Sequence, residues 1–300
     1  MANNSLSTSD IVLPVDVAQG IYDQAFSESV IARLSGQRPM LFGDSTVMTF
    51  TGLPKAQLVS EGGAKKGTKP AFGSITVKPA KFQITVRMNN EVQWADLDHN
   101  EGVIREITSK FGTALGRALD TYVIHKADPF TGEVDPSVTT GLCDAESVIE
   151  YKDIEPDFAV EKACRAVKKN HYPVNGIALD EDFGFDLATM RDENGRKIYG
   201  DLGLGDGITS FLGKTTACGD TLVGANELEE ESDILAIVGD FRDAIRWGVQ
   251  KEIKAKIIEY GDPDGEGDLQ NLNQVALRAE IVYGVGITTP DAFALVKKAE

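Results

Sequence analysis

The chain has 300 residues, 42% hydrophobic and 26% charged, which suits a soluble protein of about two domains with real cores. Its net charge of -17 weighs against a protein that grips nucleic acid by neutralising phosphates, because that binding needs clustered Lys and Arg. The opening MANNSLSTSD has neither a basic nor an apolar region, no run approaches the ~20 apolar residues of a membrane span, and Cys143, Cys164 and Cys218 form no CxxC pair, so a cytoplasmic protein with reduced, buried thiols is expected.

Residues 1–10 are small and polar. Pro14 and Asp16 then open an amphipathic segment with Ala18, Ile21, Tyr22, Ala25, Val30, Ile31 and Leu34 on one side, a short helix on an arm. The pattern turns toward strand over 46–59. It is explicit over 75–88, where Phe82, Ile84, Val86 and Met88 alternate with Lys81, Gln83, Thr85 and Arg87, and the two strands are expected to face each other. Between them lies EGGAKKGTKP, residues 61–70, a glycine and lysine tip with nothing to bury. A lone hairpin of this length is marginal in water and needs a neighbour to lie on.

A helix is predicted over 98–128, about 45 Å at ~1.5 Å per residue, because Ile104, Ile107, Phe111, Leu115, Ala118 and Tyr122 recur at steps of three and four. Asp96 and Asp98 offer capping oxygens, Glu101 sits in the first turn, and Lys126 and Pro129 close the end. Gly112 and Gly116 inside it each cost about 1 kcal/mol against Ala and mark a bend or a close backbone contact.

Gly132, Asp135 and Pro136 then break the chain, and a mixed α/β domain runs to about residue 239. Val160, Ala163, Cys164 and Val167 form the apolar face of a helix that stops at His171, Tyr172 and Pro173. GIAL at 176–179 is a buried strand, Asp182 caps a helix through Met190, 200–214 is a glycine-rich loop, and DILAIV at 233–238 is a central strand. Ile245, Trp247, Val249, Ile253, Ala255 and Ile257 then alternate with polar residues in a long strand. The acidic turn 261–268 leads to a second strand carrying Val275, Leu277, Ala279, Ile281, Tyr283 and Val285, so the chain is expected to end in a long hairpin packed on the long helix.

Asp262, Asp264, Glu266 and Asp268 resemble the front of a calcium loop, with Gly267 at the bend. A strand precedes them and Asn273 stands at the twelfth position, so a solvated turn is the better reading. Gly203, Gly205 and Gly207 mimic a phosphate cradle, but no hydrophobic strand leads into them. His99, His125 and His171 lack partners at metal-ligand spacing, and no nucleophile elbow occurs. Residue chemistry alone therefore gives an acidic α/β protein with a projecting hairpin, a long strut, no cofactor and no small-molecule active site.

The order of elements resembles the major capsid protein of tailed bacteriophages over nearly the whole chain. The resemblance is carried by Glu61, Gly62 and Gly63, by FGTALGRALD at 111–120, by MRDENGR at 190–196, and by NQVALRAE at 273–280 before PDAF at 290–293. It implies the Hong Kong 97-like (Johnson) α+β fold: an N-terminal arm at 1–44, an E-loop hairpin at 45–95, the spine helix of the P-domain at 96–129, an A-domain at 130–243, and P-domain strands with the C-terminus at 244–300. It also implies a structural protein that self-assembles as hexamers and pentamers into an icosahedral head around double-stranded DNA held without sequence specificity. Assembly in the bacterial cytoplasm would involve a portal, a decoration protein in some members, and a separate scaffolding protein, since the chain begins close to the arm. An encapsulin shell around a cargo enzyme shares the fold and is the alternative, and a calcium-dependent or loop-based enzyme would rest only on 203–207 and 262–268. The tip residues Glu61, Gly62, Gly63, Lys65 and Lys66 fall where neighbouring subunits meet. In some members a tip lysine attacks a neighbour's asparagine with help from a glutamate; Lys69, Asn273 and Glu280 match those positions, with Lys65 and Lys66 as rival nucleophiles. Asn273 and Glu280 differ by an odd number of residues, so a turn near Asn273 is needed to bring them to one side.

Overall fold

The computed structural model describes residues 26–50, 56–59, 67, 72–99, 102–152, 154–200, 202–204 and 207–299. Its backbone runs through helix α1 (Val30–Leu34), β1 (Ser45–Phe50), β2 (Phe72–Asn89), α2 (Asn90–His99), α3 (Val103–His125), β3 (Ser147–Tyr151), α4 (Pro156–Lys169), β4 (Gly176–Leu179), α5 (Glu181–Thr189), β5 (Ser210–Phe211), β6 (Lys214–Cys218), β7 (Ile234–Gly239), β8 (Ile245–Ile258), β9 (Gln274–Ile287) and β10 (Phe293–Lys298).

The first sheet is antiparallel, in the order β1-β2-β9-β8. Strand β2 changes partner along its length: it pairs with β1 from Phe72 to Val77 and with β9 from Lys78 to Asn89. The expected hairpin is thus present, but only its outer part projects, because the alternating stretch from Phe82 onward belongs to the main sheet. The alternation expected along β8 is interrupted by register shifts between Val249 and Lys251 and between Ile253 and Lys256. Such bulges bend a strand and re-aim its side chains.

The single helix expected over 98–128 is two helices. Gly102, at φ 76°, separates α2 from α3 in the left-handed conformation that a residue without a Cβ adopts freely. No side-chain cap is needed there, so the oxygens of Asp96 and Asp98 were the wrong signal. At ~1.5 Å per residue α3 measures roughly 35 Å, and it stops at His125 because Lys126 is itself left-handed, at φ 59°. Phe111, Leu115, Ala118, Leu119 and Val123 are buried on α3, which packs on β2 and β9. Tyr283 Oη donates to the Leu115 carbonyl at 3.1 Å, and Gly112 and Gly116 are buried in the same stretch of α3.

Arm and spine are joined by a buried carboxylate. Asp120 of α3 accepts from Ser29 Oγ (2.5 Å), Val30 N (2.8 Å), Ile31 N (3.0 Å) and Thr221 Oγ1 (3.1 Å), so it caps the first turn of α1 from another element. Burial pushes its carboxyl up to about 6, against the pull of those four donors. Beyond α1 the arm runs along the outer edge of β8. Arg38 N donates to the Trp247 carbonyl at 3.0 Å and the Gln250 side chain brackets Gly43, which covers an edge that would otherwise be free to pair. A Cβ on Gly248 would stand 1.9 Å from the Arg38 carbonyl oxygen, so this close approach requires glycine.

The second sheet is mixed, in the order β3-β10-β7-β4-β6-β5. Helices α4 and α5 cover one face through Val160, Val167, Phe183 and Leu187, and the other face meets the main core through Ile237, Phe293 and Leu295. The central position of 234–239 and the buried strand at 176–179 agree with the sequence. Asp180, not Asp182, caps α5, accepting from Asp182 N at 3.1 Å. The chain does not end in the β8-β9 hairpin either. Strand β10 crosses into the second sheet between β3 and β7, placing 293–298 with the expected A-domain. FALV is a continuous apolar run, as a strand buried on both faces requires.

Candidate assembly interface

The outer hairpin has little of its own chain to lie on. Along β1 the residues from Ser45 to Met48 alternate between half-buried and exposed, and among the described side chains of β2 the first buried one is Val77. Met48 is 75% exposed and Leu58 is 99% exposed. The tip residues Glu61, Gly62, Gly63, Lys65, Lys66 and Lys69 lie outside the described residues.

Asn273 and Glu280 do not meet within a subunit. Asn273 directly precedes β9 in the left-handed conformation, φ 54°, which is the turn that the spacing required. Its amide is held at both ends: Asn90 Nδ2 donates to its Oδ1 at 2.8 Å, and its own Nδ2 donates to Glu91 Oε1 at 2.9 Å. Glu280 lies seven residues further on (280 − 273), about 24 Å at ~3.4 Å per residue. It is buried opposite Gln83 and paired with Lys81, Nζ to Oε2 2.7 Å. Glu91, which the sequence reading missed, is therefore the carboxylate that touches the Asn273 amide; the signal was its place two residues past β2, in the first turn of α2.

The acidic turn is a clamp. Arg87 Nε donates to Asp264 Oδ2 at 2.7 Å, Nη2 to Asp262 Oδ1 at 3.0 Å and Nη2 to the Gly267 carbonyl at 2.8 Å. The Arg87 guanidinium holds the Asp264 carboxyl below its ordinary range. Asp262 and Asp268 accept from backbone amides of the turn itself, with Gly265 and Gly267 at positive φ. These oxygens are committed to shaping the β8-β9 connection. Among the described residues no group of His, Cys, Asp and Glu could hold a metal ion.

The other candidates resolve locally. A Cβ on Gly203 would meet the Gly207 carbonyl at 2.7 Å, so this glycine serves a tight loop. His125 Nε2 lies 3.0 Å from the Thr221 carbonyl at the end of α3, and burial lowers its pKa. His171 is exposed and His99 side-chain contacts fall outside the description. The three cysteines form no disulfide, and only Cys218 is buried, with Cys143 and Cys164 half-exposed. No helix among the described residues is long and apolar enough to cross a membrane.

One further surface stands out beside β2. Pro79, Ala80, Lys81 and Phe82, with Tyr122 and the connection from Asp128 to Ser137, enclose a cleft of about 510 Å³. Asp128 and Glu133 are exposed on its rim with Asp135 half-buried beside them.

The Phage capsid family model matches residues 10–298. A solved structure from Mycobacterium phage Ogopogo superposes with TM-score 0.83 at 41% identity, covering 91% of this chain and 92% of that one. One from Gordonia phage Cozz gives 0.77 at 28% identity, covering 91% and 87%. The capsid of an empty GTA particle gives 0.63 at 14% identity over 91% and 90%, a likeness of fold alone. A search of curated proteins returned no match. The molecule is thus a shell-forming structural protein with the Hong Kong 97-like α+β fold, not an enzyme. The chain belongs to the phage capsid family: it is a major capsid protein of the virion, and copies of it form the icosahedral head shell. The encapsulin alternative is not favoured.

Proposed function

We propose that the subunits close the head as hexamers and pentamers, with the E-loop hairpin of each lying over its neighbour and the domain around the second sheet meeting its copies at the symmetry axes. The observation that carries this is the outer hairpin: among its described side chains, at 45–48 and 74–76, none is more than half-buried in its own chain. Apolar strand surface of this kind gains stability only when covered, so ordering the hairpin and joining the shell become one event. Deleting 60–72 is expected to leave soluble subunits that form no closed particles by negative-stain microscopy; normal shells from this deletion would overturn the arrangement. In the same reading the shell assembles in the host cytoplasm with a scaffolding protein and a portal, accepts a decoration protein where one exists, and encloses DNA that its acidic charge repels rather than grips.

For Lys69, Asn273 and Glu280 the proposed roles are structural. Isopeptide formation would need a neutral Lys69 amine to attack the Asn273 carbonyl carbon, expelling Nδ2 as ammonia. In the subunit that amide is fixed by Asn90 and Glu91, while Lys81 occupies Glu280. Denaturing electrophoresis of mature particles is expected to give one band near 32.3 kDa. A ladder of multiples, lost on Lys69→Ala, would establish crosslinking instead.

A further inference from the structure

The domain around the second sheet carries two surfaces of opposite charge. Strands β3, β10 and β4 run one way and β7 runs against them, and a cleft of about 510 Å³ opens where the first three end and β7 begins. Tyr151 and Phe183 stand in its wall with ring centroids 5.3 Å apart. Its rim carries Asp182, Asp186, Glu231 and Asp233, all exposed, against Lys152 and Lys298. The other surface is the outer face of α4. Residues 162–171 hold Lys162, Arg165, Lys168 and Lys169 and no acid, and no ten-residue stretch of the chain is more cationic. Lys162, Arg165 and Lys169 recur at steps of three and four on the side opposite the buried Val160, Ala163 and Val167, with the half-exposed Phe158 in the same stripe and Glu161 at its edge. Among the described residues no salt bridge engages any of these charges.

We propose that the cationic face of α4 in one copy docks at the acidic cleft of the next, with Phe158 against Tyr151 and Phe183 and with Lys162, Arg165 and Lys169 against the rim carboxylates. The proposal rests on the reading that the second-sheet domains meet around the symmetry axes, and it names the two surfaces that face each other there. A subunit cannot pair its own surfaces. Asn170, at the end of α4, donates to Ser147 Oγ at 3.3 Å at the start of β3. The cleft opens at Tyr151, four residues on (151 − 147), about 13 Å at ~3.3 Å per residue. Lys168 and Lys169 therefore lie at the far end of the sheet from their own cleft. Two different surfaces that pair between identical copies make a head-to-tail contact, the kind that closes rings. The other acidic surfaces fit less well: Arg87 already holds the turn at 261–268, and the cleft beside β2 lies outside the second sheet. Exposed charges of this kind act mainly on encounter and register, and many weak contacts sum across a shell.

The test uses the full chain and counts closed particles by negative-stain microscopy. Lys162→Glu, Arg165→Glu and Lys169→Glu together make both surfaces acidic, and Asp186→Lys, Glu231→Lys and Asp233→Lys together make both basic. Each set is expected to cut closed particles by about tenfold or more, because like charges then face each other, and a chain carrying both sets is expected to close shells again. Mixing the two single-set chains gives a sharper result. Unlike copies can alternate around a ring of six but not around a ring of five, so six-membered rings without closed shells are expected. Should a reversed chain fail to fold by circular dichroism, Arg165→Gln with Asp186→Asn is expected to lower the yield and weaken its dependence on ionic strength, and an unchanged yield and salt dependence would count against the pairing. Normal shells from either single set, loss without rescue by the combined set, or closed shells from the mixture would overturn it. Rescue of the α4 set by Asp128→Lys with Glu133→Lys would move the contact to the cleft beside β2 and overturn it as well. A particle reconstruction separates this pairing from the reading beneath it: second-sheet domains away from the axes would remove that reading, whereas domains at the axes with α4 and the cleft apart would overturn the pairing alone.

Discussion

Replacing Asp120 by alanine is expected to cost the subunit about 4 kcal/mol and to release α1 from the spine. The change leaves Ser29 Oγ, Val30 N, Ile31 N and Thr221 Oγ1 as buried donors without an acceptor, each worth ~1–3 kcal/mol and not additive. The carboxyl's pKa, raised from 3.8 to about 6, is the balance left after those donors: burial outweighs their pull and disfavours the ionised form by about 3 kcal/mol relative to the unfolded chain. The raised pKa fixes the sign of a pH effect. Between about pH 4 and 6 the folded subunit holds a proton that the unfolded chain has released, so the contribution of Asp120 is most favourable in acid. It declines as pH rises to about 6 and is constant above. Asp144 and Asp264, whose carboxyls are held below their ordinary range, act oppositely and lose stability as pH falls, so the total curve is not diagnostic. The difference between wild type and Asp120→Asn is diagnostic. Urea unfolding at pH 4.5 and pH 7.5 should show that the Asn variant lacks the decline, and an identical pH dependence in both would refute this role.

Element types were legible wherever one period ran unbroken. Strand β9 stands where the sequence implied, though it is buried along most of its length rather than on one face, and α4 carries a single apolar stripe. What misled was local capping. Asp96 and Asp98 looked like caps, yet a glycine in the left-handed region separates two helices at lower cost than a side chain bonded to the backbone. Strand β10 was missed because a short apolar run beside Pro290 gives no sign of which sheet it joins; that choice depends on the vacancy between β3 and β7, a tertiary fact. Asp120 was not singled out, because the partners that hold it lie 90 and 101 residues away. The odd spacing of Asn273 and Glu280 asked for a turn near Asn273, and Asn273 stands in the left-handed conformation just before β9. Glu91 and Arg87 were not singled out, because charges on or just past an alternating strand read as solvated until a facing turn is in place.

Trp247→Ala is expected to be as damaging as the loss of Asp120, for a different reason. The side chain is 1% exposed and is among the largest fully buried ones, touching Phe26 at 5.7 Å and Tyr283 at 6.5 Å between ring centroids. Truncation leaves a cavity where arm, β8 and β9 converge, at about 3–5 kcal/mol for an aromatic reduced to alanine. It also strands the buried Ser35 carbonyl, which accepts from Nε1 at 3.0 Å. Trp247→Phe separates the two terms: it keeps most of the ring, loses the donor, and should cost about 1–2 kcal/mol. The backbone bond from Arg38 N survives both changes, so a loosened arm would report packing and not the edge contact along β8. Equilibrium unfolding gives the two magnitudes, and limited proteolysis reads the arm. Equal losses for the alanine and phenylalanine variants would mean that the hydrogen bond to Ser35, and not the packed indole, fastens the arm to the first sheet.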